Sequence, residues 1–212
     1  MPPPGHDAGA DDRLTLAPRL FRFRGLRAGE APAFPAGAAV LDPDDAPAGP
    51  FGVQGATLYV RLPPLDAEDF PARLARAVSL GACGIVLPGT AGSPDIERLA
   101  ARLAVAEAEA GLADGALRIV ASIDHPAGVF GLAALRPHPR LAGLLCDPAR
   151  LAARLACRPD APAILQARGL TVLAASACGV PAILTADSAM EAQAAGEEGF
   201  AALLVPEASV AA

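Results

Sequence analysis

Residues 84–99 read GIVLPGTAGSPDIERL, and this stretch holds a strand, a loop and the start of a helix. The apolar run Gly84-Ile85-Val86-Leu87 is bounded by turn residues, Pro88 and Gly89, and so reads as a short strand. Pro94 then opens a helix whose first turn carries Asp95 and Glu97, the charge that a helix amino terminus favours. Helical spacing of Ala, Leu and Arg continues to residue 110. Gly111 and Gly115 end it and lead into the next apolar run.

Outward from this unit the same alternation recurs. Strands are expected at 19–23, 38–41, 57–61, 84–87, 117–122, 141–145, 182–185 and 201–205. Helices are expected at 67–80, 94–110, 127–135, 148–156, 161–176 and 188–197. Strands alternating with helices in one 212-residue domain predict a (β/α)8 barrel, with a doubly wound sheet as the rival. Two links depart from the pattern. GLRAGEAPAFPAG (25–37) and DPDDAPAGPFGVQGA (42–56) hold too much Pro and Gly for crossover helices. The first two helices of the barrel are therefore expected to be shortened or lost, and the C-terminal helix with them, as the chain stops soon after the last strand. Exposed strand faces at such a seam need cover, which predicts a homo-oligomer. Residues 1–17 are expected to form a disordered Pro-rich arm and 18–212 the single barrel domain. The arm, polar and acidic, is not a signal peptide.

Composition removes several chemistries. The chain contains no lysine, so a Schiff-base aldolase, a pyridoxal-phosphate enzyme and a P-loop are all excluded. A carbon–carbon bond enzyme built from this chain must stabilise an enolate with a metal or with hydrogen-bond donors. The net charge is −6 and the arginines are scattered, which argues against a nucleic-acid surface. Residues 169–186 are uncharged and as long as a membrane span, but Gly179 and Pro181 divide them into helix, turn and strand. Cys83, Cys146, Cys157 and Cys178 form no CxxC pair and read as buried free thiols. A soluble protein of the reducing cytoplasm is expected.

In a barrel of this kind chemistry gathers at the carboxyl ends of the strands. Those positions hold Asp42, Asp44 and Asp45; Arg61; Pro88-Gly89-Thr90; Asp124 and His125; Cys146, Asp147 and Arg150; Thr185, Asp187 and Ser188; and Glu207 and Ser209. The motifs VLDPDDA (40–46), YVRLP (59–63), GIVLPGTAGSPDIERL (84–99), SIDHPAGVFG (122–131), RLAGLLCDPARLA (140–152) and GFAALLVPEAS (199–209) run in one order. That series resembles the citrate lyase beta-subunit family, also called the HpcH/HpaI aldolase family, over most of residues 19–209. Each motif is weak alone, and the shared order carries the likeness.

The resemblance implies a barrel of the phosphoenolpyruvate/pyruvate kind and Mg²⁺-dependent carbon–carbon cleavage or condensation. The implied substrates are small 2-oxo acids or acyl-CoA-type thioesters, such as citryl or malyl, with CoA a part of the substrate. Arg61 matches the family arginine that grips a substrate carboxylate. Asp44 and Asp45 match an acidic pair placed for proton transfer. Asp124 matches a metal-binding glutamate, one methylene longer. The second ligand of the family, an aspartate, aligns with Arg150, and Asp147 can replace it only if the loop is rebuilt. Two family lysines are absent, one of them replaced by Gly89.

Other readings of these residues stand beside the implied ones. Arg61 can pair with an internal carboxylate. Asp44 and Asp45 suit a solvated turn. Asp124, before His-Pro, can cap the next helix. Arg150 can pair with Asp124 or Asp147 and fill the place of a metal. Two functions follow: a magnesium-assisted lyase, or a catalytically inactive relative kept for binding, assembly or regulation.

Overall fold

Eight strands pair in chain order and close into a barrel in the computed structural model, which describes residues 20–25, 38–41, 57–186 and 189–206. They are β1 (Leu20–Gly25), β2 (Ala39–Leu41), β3 (Leu58–Arg61), β4 (Gly84–Leu87), β5 (Arg118–Ile123), β6 (Leu141–Cys146), β7 (Ala182–Thr185) and β8 (Ala202–Pro206). Helices α1 (Phe70–Ser79), α2 (Ser93–Glu109), α3 (Pro126–Gly131), α4 (Pro148–Leu155), α5 (Pro162–Cys178) and α6 (Ala189–Glu198) fall between strands from β3 onward. The expected helix at 127–135 is in fact α3 followed by a 3-10 turn at Leu132–Ala134.

The barrel corrects the (β/α)8 expectation at its first strand. β2 to β8 are parallel to one another, but β1 runs antiparallel to both β2 and β8. Antiparallel neighbours need no crossover helix. That removes the demand for one between β1 and β2, where Pro and Gly abound. The Pro-rich arm and the positions of the expected helix losses lie outside the described residues.

Side chains alternate between two apolar layers, as period-two strands require. Leu58, Val60, Ile85, Leu87, Ile119, Ala121, Leu144 and Leu184 pack with Phe70, Leu74, Ile96, Leu99 and Leu103 of α1 and α2. Their sequence neighbours Tyr59, Val86, Val120, Leu145, Ile183 and Leu204 form the separate inner cluster. Gly84 and Gly143 leave room within it, since a Cβ at either would collide with Tyr59 or Ile183. Burial pushes the Tyr59 hydroxyl up to about 12.

One irregularity sets the inward face of β6. Ile119 pairs with Leu141 but Val120 pairs with Gly143, so Ala142 is an extra residue between them. Each later residue of β6 thereby changes face relative to a regular ladder.

The amino-terminal end of the barrel holds a closed ion cluster. Glu107, at the end of α2, accepts from Leu117 N–H (2.6 Å), Gly115 N–H (3.1 Å) and both Nη atoms of Arg140 (2.6 and 2.8 Å). Arg140 foremost, with these backbone donors, holds the Glu107 carboxyl below its usual range despite burial. Glu107→Ala removes the buried partner of Arg140 and leaves it only the exposed Asp114 (2.6 Å) and the Leu117 carbonyl, and is expected to cost about 2–3 kcal/mol in urea unfolding, below the cost of a buried charge with no partner at all. A lowered carboxyl stabilises the fold above the ordinary glutamate value of about 4.3 and loses that effect as pH falls through the folded value. Glu107→Gln should therefore flatten the acid limb of the wild-type stability curve.

Candidate functional site

Where each strand reaches its carboxyl end, the inner face turns from apolar to polar. Tyr59 is followed on that face by Arg61, Val120 by Ser122 and Asp124, Leu145 by Asp147, and Ile183 by Thr185. Arg61, Ser122, Asp124 and Asp147 are all buried. Cα registers pair Ile123 with Cys146 and Cys146 with Leu184. The next residues, Asp124, Asp147 and Thr185, therefore form one row across β5, β6 and β7, with strands about 4.8 Å apart. Without the bulge at Ala142, Cys146 would stand opposite Asp124 and Asp147 would face the other way.

Asp124 holds the neighbouring loop. The Gly89 N–H donates to its Oδ1 at 2.8 Å. Gly89 has φ +65°, a conformation that suits glycine. α3 packs onto this loop through Gly128 and Gly131, where a Cβ would strike the carbonyl oxygens of Thr90 and Ala91. Asp124 does not cap the following helix, which corrects that reading. His125 does so instead, its Nδ1 accepting from Ala127 N–H at 3.1 Å.

Asp147 is the cap of α4. Its Oδ1 accepts from Arg150 N–H at 3.1 Å, and its Oδ2 lies 3.4 Å from Arg150 Nε. The structure thus gives Arg150 to Asp147, and not to Asp124. Burial drives the Asp147 carboxyl above its usual range, against the Arg150 backbone N–H and the charges of Arg61 and Arg150, with Asp124 adding to the rise. Arg61 and Asp124 are thus both within electrostatic reach of Asp147.

Thr185 completes the row. Its Oγ1 is buried and makes no hydrogen bond among the described residues, so it is an open valence beside Asp147. Ser122 and the pair Gly128/Gly131 escaped sequence reading. The alternation Val120-Ser122-Asp124 and the three-residue glycine spacing in PAGVFG were the available signals. Asp42, Asp44, Asp45, Asp187, Ser188, Glu207 and Ser209 lie outside the described residues.

Among the described residues, no three His, Cys, Asp or Glu side chains form a metal cage. Mg²⁺ does not require one, since it commonly takes one or two carboxylates and fills its shell with water and substrate oxygens. Asp124, Asp147 and the open hydroxyl of Thr185 fit that kind of ion, provided Arg150 moves off Asp147. Arg150 is 48% exposed and can do so. Elsewhere, a groove of about 820 Å³ between α1 and α2 is walled by Phe70, Leu74, Val78 and Val105 and contains none of the strand-end residues. We therefore place the site at the barrel mouth.

The thiols are free, with Cys146 and Cys178 buried but Cys83 exposed, contrary to the reading of all four as buried. Residues 169–186 form the end of α5, a turn at Gly179 and β7, and no described helix is long and apolar enough to cross a membrane.

Comparison with known proteins agrees with this geometry. A family model described as HpcH/HpaI aldolase/citrate lyase matches residues 39–203. RipC from Yersinia pestis superposes with a TM-score of 0.63 at 20% identity, over 80% of this chain and 83% of that one. An HpcH/HpaI aldolase/citrate lyase family protein from Burkholderia cenocepacia J2315 gives 0.60 at 19% identity, over 74% and 69%. Haloferax volcanii malate synthase, in a magnesium/glyoxylate complex, gives 0.59 at 18% identity, over 73% of this chain and 53% of that one. No curated protein matches the chain.

The raised Asp147 carboxyl makes a testable difference. A carboxyl that binds its proton more tightly folded than unfolded lowers stability as pH rises from the ordinary value of about 3.9 through the folded one. Asp147→Asn keeps the cap and removes the buried charge. Thermal melts between pH 3.5 and 7 should show the variant gaining on wild type as pH rises, and being at least as stable at pH 7.

Proposed function

Because the chain belongs to the HpcH/HpaI aldolase/citrate lyase family, we propose that it is a carbon–carbon lyase or aldolase acting on a 2-oxo acid or an acyl-CoA-type thioester. The observation that carries this reading is the row Asp124, Asp147 and Thr185 at the barrel mouth, with Arg61 bearing on its centre. Asp124 and Asp147 would hold Mg²⁺, whose charge stabilises the enolate oxygen when bound. Arg61 binds a substrate carboxylate through its planar donors. Its burial strengthens that contact, because water does not compete there. Asp44 and Asp45 are assigned the proton transfer at carbon, by the match of VLDPDDA to the family's acidic pair. Thr185 donates its unused hydroxyl to a substrate or water oxygen, and the Gly89 hydrogen bond keeps the Asp124 carboxylate in place. The barrel is of the phosphoenolpyruvate/pyruvate kind in this proposal, and it assembles as a homo-oligomer.

The contact of Arg150 with Asp147 favours a second reading, in which the site is catalytically inactive and serves binding, assembly or regulation. An arginine side chain already supplies the positive charge that the metal would bring.

Calorimetric titration separates the two. With Mg²⁺ or Mn²⁺, in the presence of pyruvate or oxaloacetate, wild type should bind the cation and Asp124→Asn should not, although asparagine still accepts from Gly89. Turnover of oxaloacetate should fall at least about a hundredfold in the same variant, the loss expected when a positioned charge is removed. No binding heat with folded wild type would establish the inactive reading.

A further inference from the structure

We propose that the outer face of α5 is a self-association surface, on which a second copy of this chain docks antiparallel about a twofold axis at Gly169. The inference goes beyond the lyase reading. It gives the proposed homo-oligomer a face, and it stands whether or not the barrel mouth turns over a substrate.

The helix is apolar on both sides. Of its 17 residues only Arg168 is charged, and that side chain turns inward. It donates to Glu198 through Nε and Nη2, each at 2.8 Å, and lies 5.9 Å from the Phe200 ring. The outer face is thus left without charge. Leu165 and Leu173 stand on it 51% and 68% exposed, with Leu170 at its rim. α2, the other helix of this length, instead shows solvent Glu97, Arg98 and Glu109. A helix that is hydrophobic all round belongs in an interior, and a contiguous apolar surface marks a contact. The surface extends beyond α5. Phe130 and Leu155 are exposed on α3 and α4, the two short helices that pack against it.

The spacing selects a second copy as the occupant. Leu165 and Leu173 lie four residues to either side of Gly169, one turn above it and one below on the same side of the helix. A Cβ at Gly169 would meet nothing within 4 Å, so the glycine is an open dip between two leucines. When a copy crosses antiparallel at Gly169, each Leu165 meets the Leu173 of the other chain. Both chains then use the same patch, which is the condition of an isologous contact. The row 165, 169 and 173 is also the kind of ridge that interdigitates with its like at about −50°. Charge agrees. Each chain carries −6, so two copies approach best on a surface that bears no charge. An anionic membrane is the poorer fit, because the face offers it no Lys or Arg. One helix face is smaller than the roughly 800 Å² per partner of a standard interface, and Phe130 and Leu155 supply part of the remainder.

The test is sedimentation velocity of the full chain over a range of concentrations. Wild type should pair with a dissociation constant on the order of 1–100 μM and reach twice the mass of the single variants. Leu165→Arg and Leu173→Glu, each alone, should raise that constant at least about thirtyfold, the loss when a buried anchor is replaced. Both substitutions in one chain should restore pairing, because each arginine then meets the glutamate of the other copy. Within one helix the two positions are two turns apart and cannot rescue each other. Thermal melts establish that the variants fold, and Leu173→Ser is the milder replacement should the charged one unfold. Wild type that stays monomeric overturns the proposal, including wild type that floats with phosphatidylcholine vesicles instead of pairing. An oligomer whose mass no variant changes, held through some other face, overturns it too, as does a double variant that pairs no better than the single ones. Oxaloacetate turnover in the same samples bears on the lyase reading alone.

Discussion

The site depends on the register between β5 and β6. Parallel strands fix which side chains stand next to one another, and a slip of one residue turns every following side chain to the opposite face. Here the extra residue at Ala142 makes that slip, and it places Asp147 on the inner face beside Asp124. A regular ladder would have set the apolar Cys146 there and pushed Asp147 toward α4 and α5. The bulge sits several residues before the carboxyl end, in the floor of the barrel. Its effect is felt at the mouth because backbone hydrogen bonds carry the register upward without loss. The same ladder aligns Thr185 with Asp147, so one irregularity assembles the whole polar row.

Buried charge then governs what the row can do. Burial, with the neighbouring Asp124 carboxylate adding to it, raises the proton affinity of Asp147. The chain answers with different means at the two residues. Asp124 receives a backbone N–H from Gly89, supplied by a loop that glycine-to-carbonyl packing against α3 holds close. Asp147 receives the amide and the side chain of Arg150. The family pattern aligned in the sequence has an acid where this chain has Arg150, so the local charge is reversed in sign. A cation bound at Asp147, as proposed, would have to displace the Arg150 side chain from it.

Much of the fold was legible because the helices and strands are short and sharply punctuated. Pro94, Gly111, Gly179 and Pro181 mark boundaries that the structure places within a few residues of the expected ones. The direction of β1 was not legible. Period-two patterning records which faces are buried and says nothing of whether a strand runs up or down. The Pro- and Gly-rich link after β1 was read as a damaged crossover, although an antiparallel partner calls for no crossover at all. Arg61, Asp124 and Asp147 were picked out from strand-end position, and the structure buries all three. The β5–β6 bulge was invisible, because Leu141-Ala142-Gly143 carries no polar residue whose face could betray it. The cap assignments needed geometry too. Asp and His in succession before Pro both offer acceptors for a cap, and the contacts decide between them: His125 accepts from Ala127 N–H while Asp124 accepts from Gly89 N–H.

The two ends of the barrel show opposite treatment of ionisable groups. At the amino-terminal end Glu107 is saturated by two backbone N–H groups and both Nη atoms of Arg140, so its carboxylate is comfortable and its pKa is lowered. That is what a structural ion pair requires to offset desolvation. At the carboxyl end Asp147 is buried with its proton affinity raised, and Thr185 Oγ1 has no partner among the described residues. Stability alone selects against both features, since each could be relieved by an apolar side chain of similar size. Both stand at the carboxyl ends of strands, where barrels of this kind gather their chemistry. In the proposed lyase, a bound cation would relieve the buried carboxylate of Asp147, and a substrate or water oxygen would take the hydroxyl of Thr185.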